Sequence, residues 1–167
     1  MRNKIVAAAL VLVAVASVAY AAFSQNLTIN GTGNASGNWS VEIISITKTS
    51  GTGESDHNNV APSFNATSAT FNVDLAYPGA TATYDVVMKN KGTINAKVSS
   101  IPDLTATNAA DPADVQFTVT GPAVNDPLTP GSTVTATVTV TWLGTATTNV
   151  TTQTKNATIT YGFAQNT

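Results

Sequence analysis

Thr129-Pro130-Gly131-Ser132-Thr133-Val134-Thr135-Ala136-Thr137-Val138-Thr139-Val140-Thr141-Trp142 is the stretch that decides the fold of this chain. From Val134 to Trp142 every second residue is apolar, and those between are threonine. A repeat of two belongs to a strand, whose side chains point alternately to its two faces. Val134, Ala136, Val138, Val140 and Trp142 therefore form a core-facing edge of side chains, and the threonines form a ladder of hydroxyls and methyls. Threonine suits an outer sheet face, because a branched β-carbon fits the pleated surface. Ranked threonines also build ice-binding surfaces, but those use several neighbouring strands, and the sequence presents one such run. The Pro-Gly pair ahead of the strand marks a tight turn.

The same grammar recurs upstream. Leu75-Ala76-Tyr77-Pro78-Gly79 leads into a strand with Ala82, Tyr84, Val86 and Met88 on one face. Further alternating runs are Leu27/Ile29, Trp39/Val41/Ile43, Phe71/Val73/Leu75, Ile94/Ala96/Val98, Val115/Phe117/Val119 and Ala157/Ile159/Tyr161/Phe163. In the second run the parity flips to Ile44 and Ile46, which predicts a β-bulge. Lys91-Gly92 and Gly121-Pro122 add turn signals. Thr49 to Ser63 is polar and glycine-rich and reads as a long surface loop. Within Ile101 to Asp114, Asp111-Pro112-Ala113-Asp114 reads as a short helical turn. Short alternating strands with regular turns predict an all-β fold, an antiparallel β-sandwich of jelly-roll or immunoglobulin-like type. Its core is expected to hold Trp39, Phe71, Tyr84, Val86, Phe117, Val138, Trp142 and Ile159.

The N-terminus points to export. Arg2 and Lys4 precede an apolar run from Ile5 to Ala19, and Ala19-Tyr20-Ala21 offers small residues at the positions a signal peptidase reads. Residues 1–22 are thus expected to be a secretory signal peptide; the rival is an uncleaved anchor, for which the run is barely long enough. Removing 21 residues from 167 leaves 146, enough for one domain with a core. The leader takes two of seven basic residues, so five face nine acids, a net charge of −4. With no basic patch, nucleic acid is not an expected partner. No apolar segment follows residue 22, so no membrane association is expected after cleavage. Cysteine is absent, so no disulfide braces the fold. The expected location is extracellular.

Catalytic chemistry is hard to find. His57 is the single histidine, which removes ordinary histidine-based metal sites. Glu54, Asp56 and His57 read as a solvated loop. Asp103, Asp111 and Asp114 could offer oxygens to calcium, but their spacing matches no EF-hand. Lys89/Asn90 and Lys155/Asn156 raise the thought of Lys–Asn isopeptide bonds, which need a buried acid between partners from different strands. No catalytic, cofactor or metal residue is assigned, and the chain is not expected to be an enzyme. Asn-x-Ser/Thr sequons at Asn26, Asn30, Asn34, Asn38, Asn65, Asn149 and Asn156 are possible N-glycosylation sites.

Residues 23–38 form a unit of their own in the sequence. Phe23, Leu27 and Ile29 lie on one side of an alternating segment, and Gly31 to Gly37 is a tether with almost no packing groups. Such a segment is either a first strand followed by a loose loop, or a detached strand that completes a neighbour's sheet. Ala19-Tyr20-Ala21-Ala22-Phe23-Ser24 runs directly into Leu27-Thr28-Ile29-Asn30-Gly31-Thr32. Tyr77-Pro78-Gly79, Lys91-Gly92-Thr93-Ile94-Asn95-Ala96 and Ala157-Thr158-Ile159-Thr160-Tyr161-Gly162-Phe163 follow. In this pattern, over most of its length, the chain resembles the TasA/camelysin-type biofilm matrix proteins and the related archaeal bundling pilins. The resemblance implies a jelly-roll-like sandwich over 39–167 and head-to-tail polymerisation with copies of itself, Phe23, Leu27 and Ile29 serving as donor-strand anchors. It implies a structural filament, pilus or biofilm fibre subunit at the cell surface. Camelysin is described as a protease, and no metal-ligand motif here supports that activity. The alternative function is a monomeric surface-adhesion or carbohydrate-binding sandwich. Export predicts a mature N-terminus at Ala22 or Phe23; intact-mass analysis that finds Met1 retained would revive the anchor.

Overall fold

Two proline–glycine turns organise the strands. In Tyr77-Pro78-Gly79-Ala80 the Ala80 N–H bonds the Tyr77 carbonyl at 3.0 Å, and Gly79 has φ +97°. In Thr129-Pro130-Gly131-Ser132 the Ser132 N–H bonds the Thr129 carbonyl at 3.0 Å, and Gly131 has φ +82°. Proline at the second position and a positive-φ glycine at the third define a type II turn, and only glycine takes that third position without strain. The two look-alike sequences therefore build the same turn.

The structure is a computed structural model that describes residues 32–145 and 155–166. The leader, Phe23, Leu27, Ile29 and the sequons at Asn26, Asn30 and Asn149 lie outside the described residues. The chain divides into Met1–Ala35 and Ser36–Thr167. Of the first unit, residues 32–35 are described, exposed and without regular structure. The second unit carries β1 (Val41–Thr52), β2 (Glu54–Asp56), β3 (Ser63–Phe64), β4 (Ala69–Thr70), β5 (Val73–Leu75) and β6 (Thr81–Asn90). These are followed by β7 (Ala96–Ser100), helix α1 (Thr105–Ala109), β8 (Val115–Thr120), β9 (Pro127–Leu128), β10 (Thr133–Trp142) and β11 (Gly162–Gln165). Among the described residues no helix is long and apolar enough to cross a membrane.

The fold is all-β, built of antiparallel sheets that do not close into a barrel. The main sheet has the order β1-β6-β10-β8. A three-stranded sheet runs β11-β7-β9, and β2-β5 and β3-β4 form small pairs. Each type II turn ties one end of the β6–β10 pair. Gly79 N–H bonds the Trp142 carbonyl at 2.7 Å and Trp142 N–H the Ala80 carbonyl at 3.0 Å. At the opposite end Gly131 N–H bonds the Asn90 carbonyl at 2.8 Å and Asn90 N–H the Ser132 carbonyl at 3.1 Å. The predicted bulge is present as a register shift between Ile43 and Ser45. The outer edge of β8 is capped by a side chain: Asn108 accepts from the Phe117 N–H at 2.9 Å and donates to the Phe117 carbonyl at 2.8 Å. That two-point pairing imitates a neighbouring strand and shields an open edge.

Tyr84, Phe117, Val138 and Trp142 are buried as expected, together with Ala82, Met88, Ala136 and Val140. Phe71, Val86 and Ile159 are half-buried. Trp39 corrects the sequence expectation. It is 44% exposed and precedes β1, where no ladder forces its apolar parity inward. Thr49 to Ser63 is also not a simple loop: β1 runs on to Thr52, β2 returns against β5, and a 3-10 turn spans His57–Asn59. The helix in the 101–114 region forms at Thr105–Ala109, ahead of the expected Asp111–Asp114 turn. Ala157 to Phe163 is a ladder strand only from Gly162; residues 155–161 pair with no strand among the described residues.

Phe117→Ala should cost about 3–5 kcal/mol in urea unfolding, as buried aromatics do. Trp39→Ala should cost less than about 1 kcal/mol, as surface changes do. Equal costs at the two positions would contradict this assignment of core and surface.

Candidate functional site

The buried face of the main sheet is incompletely covered. Two segments lie over it. Phe71, Val73 and Leu75 pack on Val115, Phe117 and Val140, as does Ala157 from the other segment. Between the sheet and these segments are two cavities of about 660 Å³ and 570 Å³. They share Ala69, Phe71 and Ala157 in their walls. The larger has Val115, Phe117, Val140 and Trp142 in its lining; the smaller has Val86, Met88, Ala136 and Val138. Along residues 155–161 the inward parity, Ala157, Ile159 and Tyr161, is half-buried while Thr158 and Thr160 are exposed. The segment thus has strand-like alternation without a hydrogen-bonded neighbouring strand among the described residues.

Two polar atoms stand out in this region. Tyr84 Oη and Trp142 Nε1 are buried and, among the described residues, have no hydrogen-bond partner. Tyr84 stacks on Phe71 with ring centroids 4.3 Å apart. Burial pushes the Tyr84 phenol from its ordinary 10 up to about 12, because the charged form is poorly solvated there. By contrast Asn90, only 1% exposed, is fully engaged. Its amide donates to the carbonyls of Ile94 at 2.8 Å and Leu128 at 2.9 Å and accepts from the Gly92 N–H at 2.9 Å. Asn90 thereby ties the end of β6 to β9 and to the turn that leads into β7.

Several of the charged residues singled out in the sequence have structural partners. Glu54 and Asp56 clamp the Lys48 ammonium at 2.8 and 3.0 Å, and the Glu54 hydrogen bond, then that of Asp56, holds the lysine above its ordinary range. His57 Nδ1 lies 2.7 Å from Asp74 Oδ1 at the rim of the larger cavity. Asp103 accepts from the Thr105 N–H at the start of α1, which lowers its carboxyl together with the Thr105 side chain. Among the described residues no group of three His, Cys, Asp or Glu side chains is arranged to hold a metal. The Lys155 ammonium donates to the carbonyls of Asn108, Ala110 and Pro112 at 2.9–3.1 Å, and burial lowers its pKa. These contacts cap the end of α1. Asn34, Asn38, Asn65 and Asn156 are exposed. Asn65 Oδ1 accepts from the N–H groups of Thr67 and Ser68, both at 2.9 Å, making its sequon a compact turn.

Sequence reading missed two features. The threonine rank spans more than one strand: the register sets Thr139 beside Thr83 of β6 and Thr118 of β8, and Thr141 beside Thr81. Thr83 and Thr139 hydroxyls meet at 3.2 Å, and Thr137 donates to Asp85 at 2.6 Å. Only the register reveals these rows, and no local pattern announces them. The cavities were missed too, since their walls come from segments far apart in sequence. Comparison with protein-family models, curated proteins and solved structures finds no match.

Tyr84→Phe should leave stability at neutral pH unchanged or slightly higher, within about 1 kcal/mol, because it removes an unpaired hydroxyl. Because burial disfavours the phenolate, the folded chain loses stability relative to the unfolded chain as pH climbs from 10 toward 12, and no such loss occurs below pH 10. Denaturant titrations across this window should show a smaller alkaline loss for Tyr84→Phe than for the parent chain. Identical alkaline profiles would contradict the burial of a neutral phenol.

Proposed function

We propose that this chain is the structural subunit of an extracellular filament that grows by strand addition. On this reading residues 39–167 are a β-sandwich of jelly-roll type with one strand missing. Residues 23–30 of a second copy supply it. The observation that carries the reading is the pair of cavities left between the main sheet and residues 69–75 and 155–161. Strand addition uses a segment outside any ladder beside an apolar floor: ladder bonds give strength, and alternate side chains give fit.

The donor is suited to the acceptor. Phe23, Leu27 and Ile29 share one parity, and full burial of a Leu or Ile side chain stabilises by about 1.5–3 kcal/mol. Seven residues of tether from Gly31 to Gly37 span at most about 25 Å, enough to reach an adjacent small domain. A contact of donor on acceptor does not close on itself, so it propagates as a fibre. Export through the signal peptide keeps assembly outside the cell. A neutral, threonine-rich outer face suits a fibre exposed to changing surroundings. The carbohydrate-binding alternative draws on exposed Trp39, which offers a ring for sugar stacking.

Leu27→Asp with Ile29→Asp should leave a folded, soluble chain that forms no fibres in negative-stain micrographs, because charges cannot enter an apolar groove unpaired. Normal fibres from this variant would reduce residues 23–30 to an ordinary first strand.

A further inference from the structure

We propose that the two cavities are halves of one groove for an incoming strand, and that Ala157 is the residue whose small side chain keeps the groove open at its middle. This rests on the strand-addition reading above, and the occupant is again residues 23–30 of a second copy. The inward side chains of β10 run in order along the groove. Trp142 and Val140 line the larger cavity; Val138 and Ala136 line the smaller. The division therefore falls between two successive inward positions of a single strand. Ala69, Phe71 and Ala157 belong to both walls, so the division lies among them. Phe71 is held there by stacking on Tyr84, whose ladder partner is Val138.

Side-chain size decides whether the halves connect. Ala157, Ile159 and Tyr161 are the half-buried apolar residues of segment 155–161, and the smallest of them stands at the division. Ala157 already packs against Val115, Phe117 and Val140, so a longer side chain there has the cavities to grow into. A self-sufficient core fills such space, because a void forfeits contacts on every wall. An alanine between two voids packs a monomer poorly and leaves a slot that a second chain can fill. The segment is also held at both ends. Lys155 donates to the carbonyls of Asn108, Ala110 and Pro112. Tyr161 Oη lies 2.8 Å from where a β-carbon on Gly121 would stand, so glycine at 121 leaves the room that the phenol occupies. Length agrees with the occupant: Ala136 to Trp142 covers about 20 Å of strand, and residues 23–30 extended cover about 24 Å.

The test sets two readouts against each other in the mature full-length chain. Ala157→Leu should raise the thermal midpoint at non-assembling dilution by about 3 °C, because it fills a void in the monomer. The same change should raise the critical concentration for polymerisation, read by sedimentation, about tenfold or more, because it blocks the slot. A gain in monomer stability paired with a loss of assembly is the signature of a gate, whereas a merely structural position loses both together. Ala69→Leu, from the other segment at the division, should act in the same sense. Should Ala157→Leu fail to fold by circular dichroism, Ala69→Leu decides alone; should both fail, the milder Ala157→Val decides. A parent chain that polymerises, with folded variants that assemble at the parent's critical concentration or lose stability and assembly together, overturns the gate and leaves the filament reading standing. A parent chain that forms no polymer overturns both.

Discussion

The pairing of β6 with β10 is the constraint on which the remaining structure depends. Each strand enters from a type II turn, and each turn's glycine N–H closes on the far end of the other strand. Both turns need proline for a preset φ and glycine for a positive one. With both ends pinned, the register of nine residue pairs from Thr133↔Lys89 to Thr141↔Thr81 leaves no room for slippage. That register puts Ala82, Tyr84, Met88, Ala136, Val138, Val140 and Trp142 on one face, and β1 and β8 extend it at the edges. The chain contains no cysteine, so this pairing and its burial do the work that disulfides do in many exported domains.

An apolar floor must be covered, and here the described residues cover it only in part. Asn90 fastens one end to β9 and the approach to β7. The other end is left to Phe71, Val73, Leu75 and Ala157, with cavities between. A protein of this size ordinarily packs its interior to crystal-like density. Among the described residues, cavities lie beside a segment outside any ladder, and a buried indole N–H lacks an acceptor. On the proposed reading, those unmet packing demands would become the driving force of assembly. Asn108 meanwhile occupies the Phe117 main-chain groups at the outer edge of β8.

Much of the fold was legible because strand periodicity is local. Val134 to Trp142, Ala82 to Met88 and Val115 to Val119 were readable from alternation, and the parity flip at Ile43–Ile44 announced a bulge. Trp39 misled because alternation was extrapolated past the point where a ladder enforces it. Residues 155–161 alternate like a strand but pair with no strand among the described residues, and pairing is a property of two segments that one segment cannot disclose. The polar stretch after Thr49 concealed short strands whose order comes from Lys48 gripping Glu54 and Asp56. The floor's cavities and the threonine rows were illegible for one reason: both arise from register between residues distant in sequence.

Hydrogen exchange at the backbone amides of Asn156 to Tyr161, compared between dilute monomer and polymer, tests the central claim most directly. If these residues border the slot that an incoming strand fills, their amides exchange rapidly in the monomer and alternate ones become strongly protected in the polymer. Exchange in this segment that is unchanged on polymerisation would contradict the account and place the subunit contact elsewhere.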